Sequence, residues 1–516
     1  LVSEELYDKN FISTHTTGLE KFLPYLNGDT DGQPKNAEWA AQITGVPAQS
    51  IIDLARRMAQ CRTMISTAWS LQRSDHGEQP IWLTVVLASL LGQIGLPGGG
   101  FGIGYGCENG IGNPVKSFKW PALSQGINAV EEFIPVARIA DMLLSPGSKF
   151  NYDGEELTYP DIRLLYWAGG NPFHHHQDLN RLVDAFRQPE CVIVNEIWWT
   201  ATARHADIVF PITTVLERND LMMTKWEPMA TPMHKAIQPV GESRNDYDVF
   251  SGLAQRLGFF EEFTEGRNEE EWLRHLWDQA RQRAGQANFE LPDFDTFWHE
   301  GPKEILKAED KTILLEAYRK DPRINPLATP SGKIEIFSDV IAGFGYDDCP
   351  GHPVWMEPFE WLGGKTVKKF PLHIISNQPS TRLHSQLDSG SISKGSKIKD
   401  REPMTMNPVD AAGRGIKTGD VVRVFNERGS CLAGVNLSEN VMPGVIQLAT
   451  GAWFDPVVPG QIGALCKHGN PNVLTMDQGT SSLAQGPTAH STLVEVEKFN
   501  DDIPKVTAHL PPAISS

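Results

Sequence analysis

Positions 80–91 are almost wholly apolar, with Ile81, Trp82, Leu83, Val85, Val86, Leu87 and Leu90, and glycines follow at 98, 99, 100, 102, 104 and 106. A run this short cannot span a bilayer and reads as a buried helix, which commits the rest of the chain to building a core around it. Leu96, Pro97 and Gly98 stop the run. The glycines allow positive φ or close approach to a ligand. Such a stretch is as readily a plain turn, and no strand precedes it as a dinucleotide fingerprint requires.

The 516 residues suit about three or four domains. A formal charge of -18 argues against nucleic acid or an anionic membrane surface as partner, while leaving local Arg and Lys free to clamp phosphates. The six cysteines, at 61, 107, 191, 349, 431 and 466, have neither CxxC nor Cys/His spacing of a zinc or iron-sulfur site and read as free thiols. No stretch reaches the roughly 18 apolar residues of a membrane span.

Buried strands are predicted over 63–69, 164–168, 191–195 and 206–211, with helices over 38–60, where Pro47 starts a second piece, and over 178–188. This alternation predicts a doubly wound α/β fold with ligands at the carboxyl ends of parallel strands. Residues 245–316 read as helical, with 269–274 a solvated charged face, and Pro and Gly cluster through 322–371. From 372 to 497 short β-type runs at 372–375, 421–425, 431–436, 445–449 and 493–496 predict an all-β barrel of roughly 125 residues. The expected division is an α/β domain over 1–197, a second α/β and helical segment over 198–370, a barrel over 371–500 and a tail over 501–516.

Four constellations carry chemistry. At 66–80, Trp69, Ser70 and Arg73 stand before the apolar run; Arg73 offers a rigid fork of donors for an oxygen or pyrophosphate, or else pairs with Asp75 or Glu78. At 166–178 a strand ends in Gly169 and Gly170, followed by Asn171, Pro172 and His174, His175 and His176. Three consecutive imidazoles cannot face one ion in regular structure; they cap the helix beginning near Gln177 or touch a ligand. At 194–211 Asn195 and Glu196 end another strand, where a carboxylate accepts from ribose hydroxyls or caps a helix. In the barrel, Arg382, His384 and Gln386 alternate, and Asn407, Asp410, Asn470, Asn472, Gln485 and Gly486 lie in separate loops. Amides and imidazoles both donate and accept, as the edge of a polar heterocycle requires, although each of them alone equally satisfies a loop.

These motifs in this order, together with the turn-then-strand unit at 415–425 and the pairing of 206–211 with 216–220, resemble the molybdopterin-dependent reductases of S- and N-oxides. That is the dimethyl sulfoxide, trimethylamine N-oxide and biotin sulfoxide reductase group. The resemblance implies α/β domains followed by a double-psi β-barrel that caps the cofactor. It implies molybdenum with bis(molybdopterin guanine dinucleotide), oxygen-atom transfer from an S-oxide or N-oxide, and an external electron donor such as a cytochrome or reductase. Anaerobic respiration in a bacterial periplasm is favoured over the cytoplasm. All eighteen residues from Trp69 to Gly486 named above as Trp69, Ser70, Arg73, Gly170, Asn171, His174, His175, Asn195, Glu196, Arg382, His384, Gln386, Asn407, Asp410, Asn470, Asn472, Gln485 and Gly486 become candidate cofactor contacts. The family's serine ligand to molybdenum is expected before Leu1, in an amino-terminal part taken to be missing, so no metal ligand is assigned and the chain alone is expected to be inactive. The competing readings are another molybdopterin oxidoreductase and an inactive nucleotide-binding fragment.

Overall fold

A computed structural model describes residues 1–105, 111, 118–225, 227, 229–304 and 312–512. Gly106, Cys107 and the 305–311 part of the helical reading lie outside the described residues.

The α/β expectation holds around a parallel sheet of Leu164–Ala168, Cys191–Glu196 and Ile208–Pro211, with Cys191–Glu196 in the middle. Under one face lies Leu179–Ala185, capped by Asp178, whose side chain accepts from Arg181 N. Its Leu179, Leu182 and Val183 pack with Val192 and Val194 in one core. The other face is covered by Asp246–Leu257, with the rings of Tyr166 and Phe250 5.5 Å apart and Asn195 Nδ2 donating to Asp246 Oδ1 at 2.9 Å. The boundary expected at 197/198 falls inside this sheet, because Ile208–Pro211 pairs with Cys191–Glu196.

Two expected strands differ. The run over 63–69 contracts to Met64–Ser66, with Met64 44% exposed, and continues as a 3-10 turn, Trp69–Arg73. Its partner is Gly100–Gly102, so part of the glycine-rich stretch is itself a strand. Leu164–Ala168 is only partly buried. The apolar run forms Glu78–Leu90 as expected, but one side is open: Val86 is fully buried while Leu83 is 46% exposed. Gly92, at φ +64, closes the helix five residues before Pro97.

The helical segment is built on Glu269–Gln286, started by a capping box between Asn268 and Glu271. Trp277 stacks on Phe297 of Phe294–Glu300 with centroids 3.6 Å apart. The 269–274 stretch is solvated at Arg274, which pairs with Glu270 and Asp295, but Trp272 and Leu273 within it turn inward.

The barrel is closed, in the order Leu372–Ile375, Val445–Leu448, Pro403–Met406, Ser430–Leu437, Val421–Phe425, Leu493–Lys498. Two of its pairings are parallel and four antiparallel, so the chain crosses the barrel rather than meandering round it. Pro403–Met406 was not legible as a strand. Its inward Met404 and Met406 are fully buried, while Pro403 opens the strand and lacks a donor.

Barrel and sheet share one hydrophobic core. Phe173 lies between Phe186 and Phe454, at ring distances of 5.0 and 6.1 Å. The polar seam is equally specific: Asn470 Nδ2 donates to Phe173 O at 3.1 Å and Asn472 Nδ2 to His174 O at 2.7 Å. Asn472→Ala should lower unfolding free energy by about 1–3 kcal/mol, because a buried carbonyl loses its donor. A drop in the urea midpoint at constant m checks this, and an unchanged midpoint refutes it.

Candidate functional site

The site forms where the loop after Leu164–Ala168 meets three barrel loops. Asn171 accepts from Thr202 Oγ1, and Pro172–His175 makes one helical turn of its own. The histidines therefore do not cap the helix that follows; Asp178 does. His174 is 3% exposed, lies 5.6 Å from the Trp453 ring, and neither of its ring nitrogens has a partner among the described residues. Burial pulls its pKa down to about 3. His175 keeps an exposed face; desolvation by the surrounding protein and then the nearby His384 bring its pKa to about 4.

His384 presents its ring from a turn at φ +51, with Nδ1 2.8 Å from Gln378 Nε2 and its backbone N donating to Gln378 Oε1 at 3.2 Å. Gly451 backs this turn at φ +91, where a Cβ would stand 2.0 Å from His384 O, so no larger residue fits. Gln386 is exposed on the same loop.

Arg73 stands on the turn Trp69–Arg73, beside the barrel residue His490. Its carbonyl accepts from His490 N at 2.9 Å, and burial lowers its guanidinium pKa. The alternative ion pairs do not form among the described residues: Asp75 accepts from Phe359 N at 2.8 Å, and Glu78 from Thr480 Oγ1 at 2.5 Å and Ser481 Oγ at 2.9 Å. Thr67 Oγ1 and His76 Nδ1, on the same loop, are buried without partners among the described residues. Trp69 is 43% exposed and Ser70 half-buried beside it.

Several predicted contacts are committed elsewhere. Arg382 is engaged within the barrel: its side chain is fully enclosed, 3.1 Å from Glu402 and 3.4 Å from Asp388, with Lys397 2.7 and 2.8 Å from the same two carboxylates. Burial alone raises the Asp388 carboxyl, but the His509 hydrogen bond and the Lys397 and Arg382 charges hold it well below the usual range. Asn195 is occupied by Tyr166 OH and Asp246. Asn407 caps Val409 N and donates to Val441 O, while Asp410 accepts from Gly444 N. Asn470 and Asn472 serve the seam described above rather than an open edge.

Glu196 remains at its strand end, where it accepts from Ile197 N at 2.8 Å and Thr200 Oγ1 at 3.1 Å; burial raises its pKa. Gly170 is open at φ +77. Gln485, at φ +54, donates to Asn151 O at 2.8 Å, and Gly486 N to Thr480 Oγ1 at 3.1 Å. Sequence reasoning passed over Trp453 and Asp388, which no motif marked, and within the run 468–475 it singles out Asn470 and Asn472 rather than His468.

Residues 1–256 match the family model described as molybdopterin oxidoreductase, and residues 372–493 match the molydopterin dinucleotide binding domain. The chain belongs to the molybdopterin oxidoreductase family. It is 49% identical to the dimethyl sulfoxide/trimethylamine N-oxide reductase of Cereibacter sphaeroides, covering 97% of this chain and 62% of that protein. It is 48% identical to the trimethylamine-N-oxide reductase of Haemophilus influenzae (99% and 64%) and 48% to the biotin sulfoxide reductase of Cereibacter sphaeroides (96% and 66%). The chain thus spans less than two-thirds of the length of these relatives. Among solved structures, acetylene hydratase from Pelobacter acetylenicus has the same fold, with a TM-score of 0.66 at 17% identity, covering 96% of this chain and 68% of that one.

The cofactor of this family member is molybdenum with bis(molybdopterin guanine dinucleotide). The residues present fit it: among the described residues the Arg73 guanidinium, partly desolvated, has no carboxylate partner and suits a pyrophosphate, and the buried His174 nitrogens, likewise without partners there, suit a polar heterocycle.

Two outcomes follow. Arg73→Ala should lower cofactor content, since a charge-assisted bond is worth roughly 1.5–3 kcal/mol, and Arg73→Lys should restore it only in part because a point charge cannot make a bidentate contact. Equal pterin content in all three proteins refutes this. Separately, His174, His176 and His468 are buried and brought from 6.5 to about 3. Between those values the unfolded chain binds more protons than the folded one, so stability is full above pH 6.5 and falls on acidification. The slope is up to about 1.4 kcal/mol per pH unit for each histidine. Urea midpoints at pH 7 and pH 5 measure it, and a flat profile contradicts neutral burial.

Proposed function

We propose that the protein carrying this chain reduces an S-oxide or N-oxide, of the kind represented by dimethyl sulfoxide, trimethylamine N-oxide and biotin sulfoxide, with electrons from an external donor such as a cytochrome or reductase. The observation that carries the reading is the 48–49% identity to reductases of these oxides over nearly the whole chain. When bound, the molybdenum cofactor supplies two-electron oxygen-atom transfer, and the protein's task is to bind, orient and enclose it.

The chain's own residues divide that task. Trp69, Ser70 and Arg73 hold the anionic part from one side, and Gly170, Asn171, His174 and His175 approach from the sheet, with Glu196 placed for a ribose hydroxyl. His384, Gln386, Gln485 and Gly486 close from the barrel. His174, kept neutral by burial, meets a heterocycle as a hydrogen-bonding group without adding charge. Trp453 beside it keeps water from that nitrogen edge.

The test is the protein purified after expression with molybdate. Molybdenum and pterin should co-purify, and reduced viologen should be oxidised on addition of at least one of the three oxides. Metal-free and pterin-free protein, or loaded protein inert toward all three, overturns the proposal.

A further inference from the structure

Beyond the last barrel strand, residues 503–510 form no regular element, yet they are held by partners from both halves of the molecule. From the barrel, Asp455 accepts from Thr507 N at 2.6 Å and Thr507 Oγ1 at 2.8 Å, Lys467 Nζ donates to Thr507 Oγ1 at 2.8 Å, and Arg401 donates to Pro504 O. From the sheet, Arg204 in the turn Ala203–His205 donates to Thr507 O at 3.1 Å, Ala508 O at 2.9 Å and also Leu510 O. Ala508 is 2% exposed between them.

The segment delivers His509 into the barrel, where Nε2 lies 3.0 Å from Asp388 Oδ2 and the ring meets Trp453 edge-on at 5.0 Å. Asp388 in turn accepts from Ser393 Oγ at 3.1 Å and Trp453 N at 3.4 Å, and it closes the loop that presents His384. Asp388, His468 and His509 come close enough for a cation site. Lys397 and Arg382 already balance Asp388 and Glu402, so an added divalent ion would sit among buried cations, which burial strongly disfavours.

We propose that residues 503–510 are a strap: Arg204 ties them to the sheet, Asp455 and Lys467 to the barrel, and His509 fixes Asp388 so that the 384–388 turn keeps its place. His509 is a positioning residue, acting on His384 through Asp388. The strap itself is read from contacts within the chain; only its consequence for cofactor retention rests on the proposed function.

Hydrogen exchange on the cofactor-free full chain tests the strap independently of that function. In His509→Phe, which keeps an aromatic ring and removes the bond, the amides of 384–388 and 453 should exchange about tenfold faster or more, the effect of losing one charge-assisted hydrogen bond. Arg204→Ala should accelerate 503–510 as well, with Val421–Phe425 unchanged in both variants. Unchanged exchange at 384–388 in both variants overturns the proposal. So does uniform acceleration of all barrel strands, which would make the segment ordinary core. In cofactor-loaded protein both variants should release pterin faster; unaltered release beside faster exchange overturns the consequence for cofactor retention, not the strap.

Discussion

Two amide side chains decide how this molecule closes. Asn470 and Asn472, from a barrel loop, supply donors to the carbonyls of Phe173 and His174, whose turn belongs to the sheet. A buried loop with unpaired carbonyls is not tolerated, so these bonds are a condition for packing Phe173 against Phe454 across the seam. Once Phe173 is so placed, His174 must face Trp453 and His175 must face His384. The site is therefore a consequence of the joint between the two halves, and neither half holds it alone.

A second constraint is electrical. Arg382, Lys397, Asp388 and Glu402 form a buried set of two cations and two anions, all with side chains at most 3% exposed. Removing one member would strand a charge in the interior, at about 3–5 kcal/mol. The set holds the loop on which His384 stands, and it explains why the Arg382 side chain is enclosed although its neighbour Leu383 is 60% exposed. In a chain of charge -18, the cation left over near the site is Arg73, desolvated and unpaired among the described residues.

The histidines show the same economy of charge. His174 and His468 are buried beside fixed cations or imidazoles, and both stay neutral. A neutral ring can donate and accept without a counter-ion, which suits a site shaped for a large polar ligand better than a row of charged groups.

What sequence alone determined was the succession of local structure. The β-branched and apolar runs of 164–168, 191–195 and 206–211 alternate with helical periodicity, so a parallel sheet follows from local preference and burial. The barrel strands at 421–425 and 493–496 were legible for the same reason, whereas Pro403–Met406 was masked by its proline and methionines. Motif order likewise marked Arg73, His174, His175 and His384 as candidate contacts. Tertiary structure alone decided which polar side chains remain free for a ligand. Arg382, Asn407, Asp410, Asn470 and Asn472 have the same hydrogen-bonding chemistry as a contact residue, but their partners lie up to about three hundred positions away in the chain, as with Asn472 and His174. A residue type states what a side chain can bond; only the packed fold determines which bonds are already made.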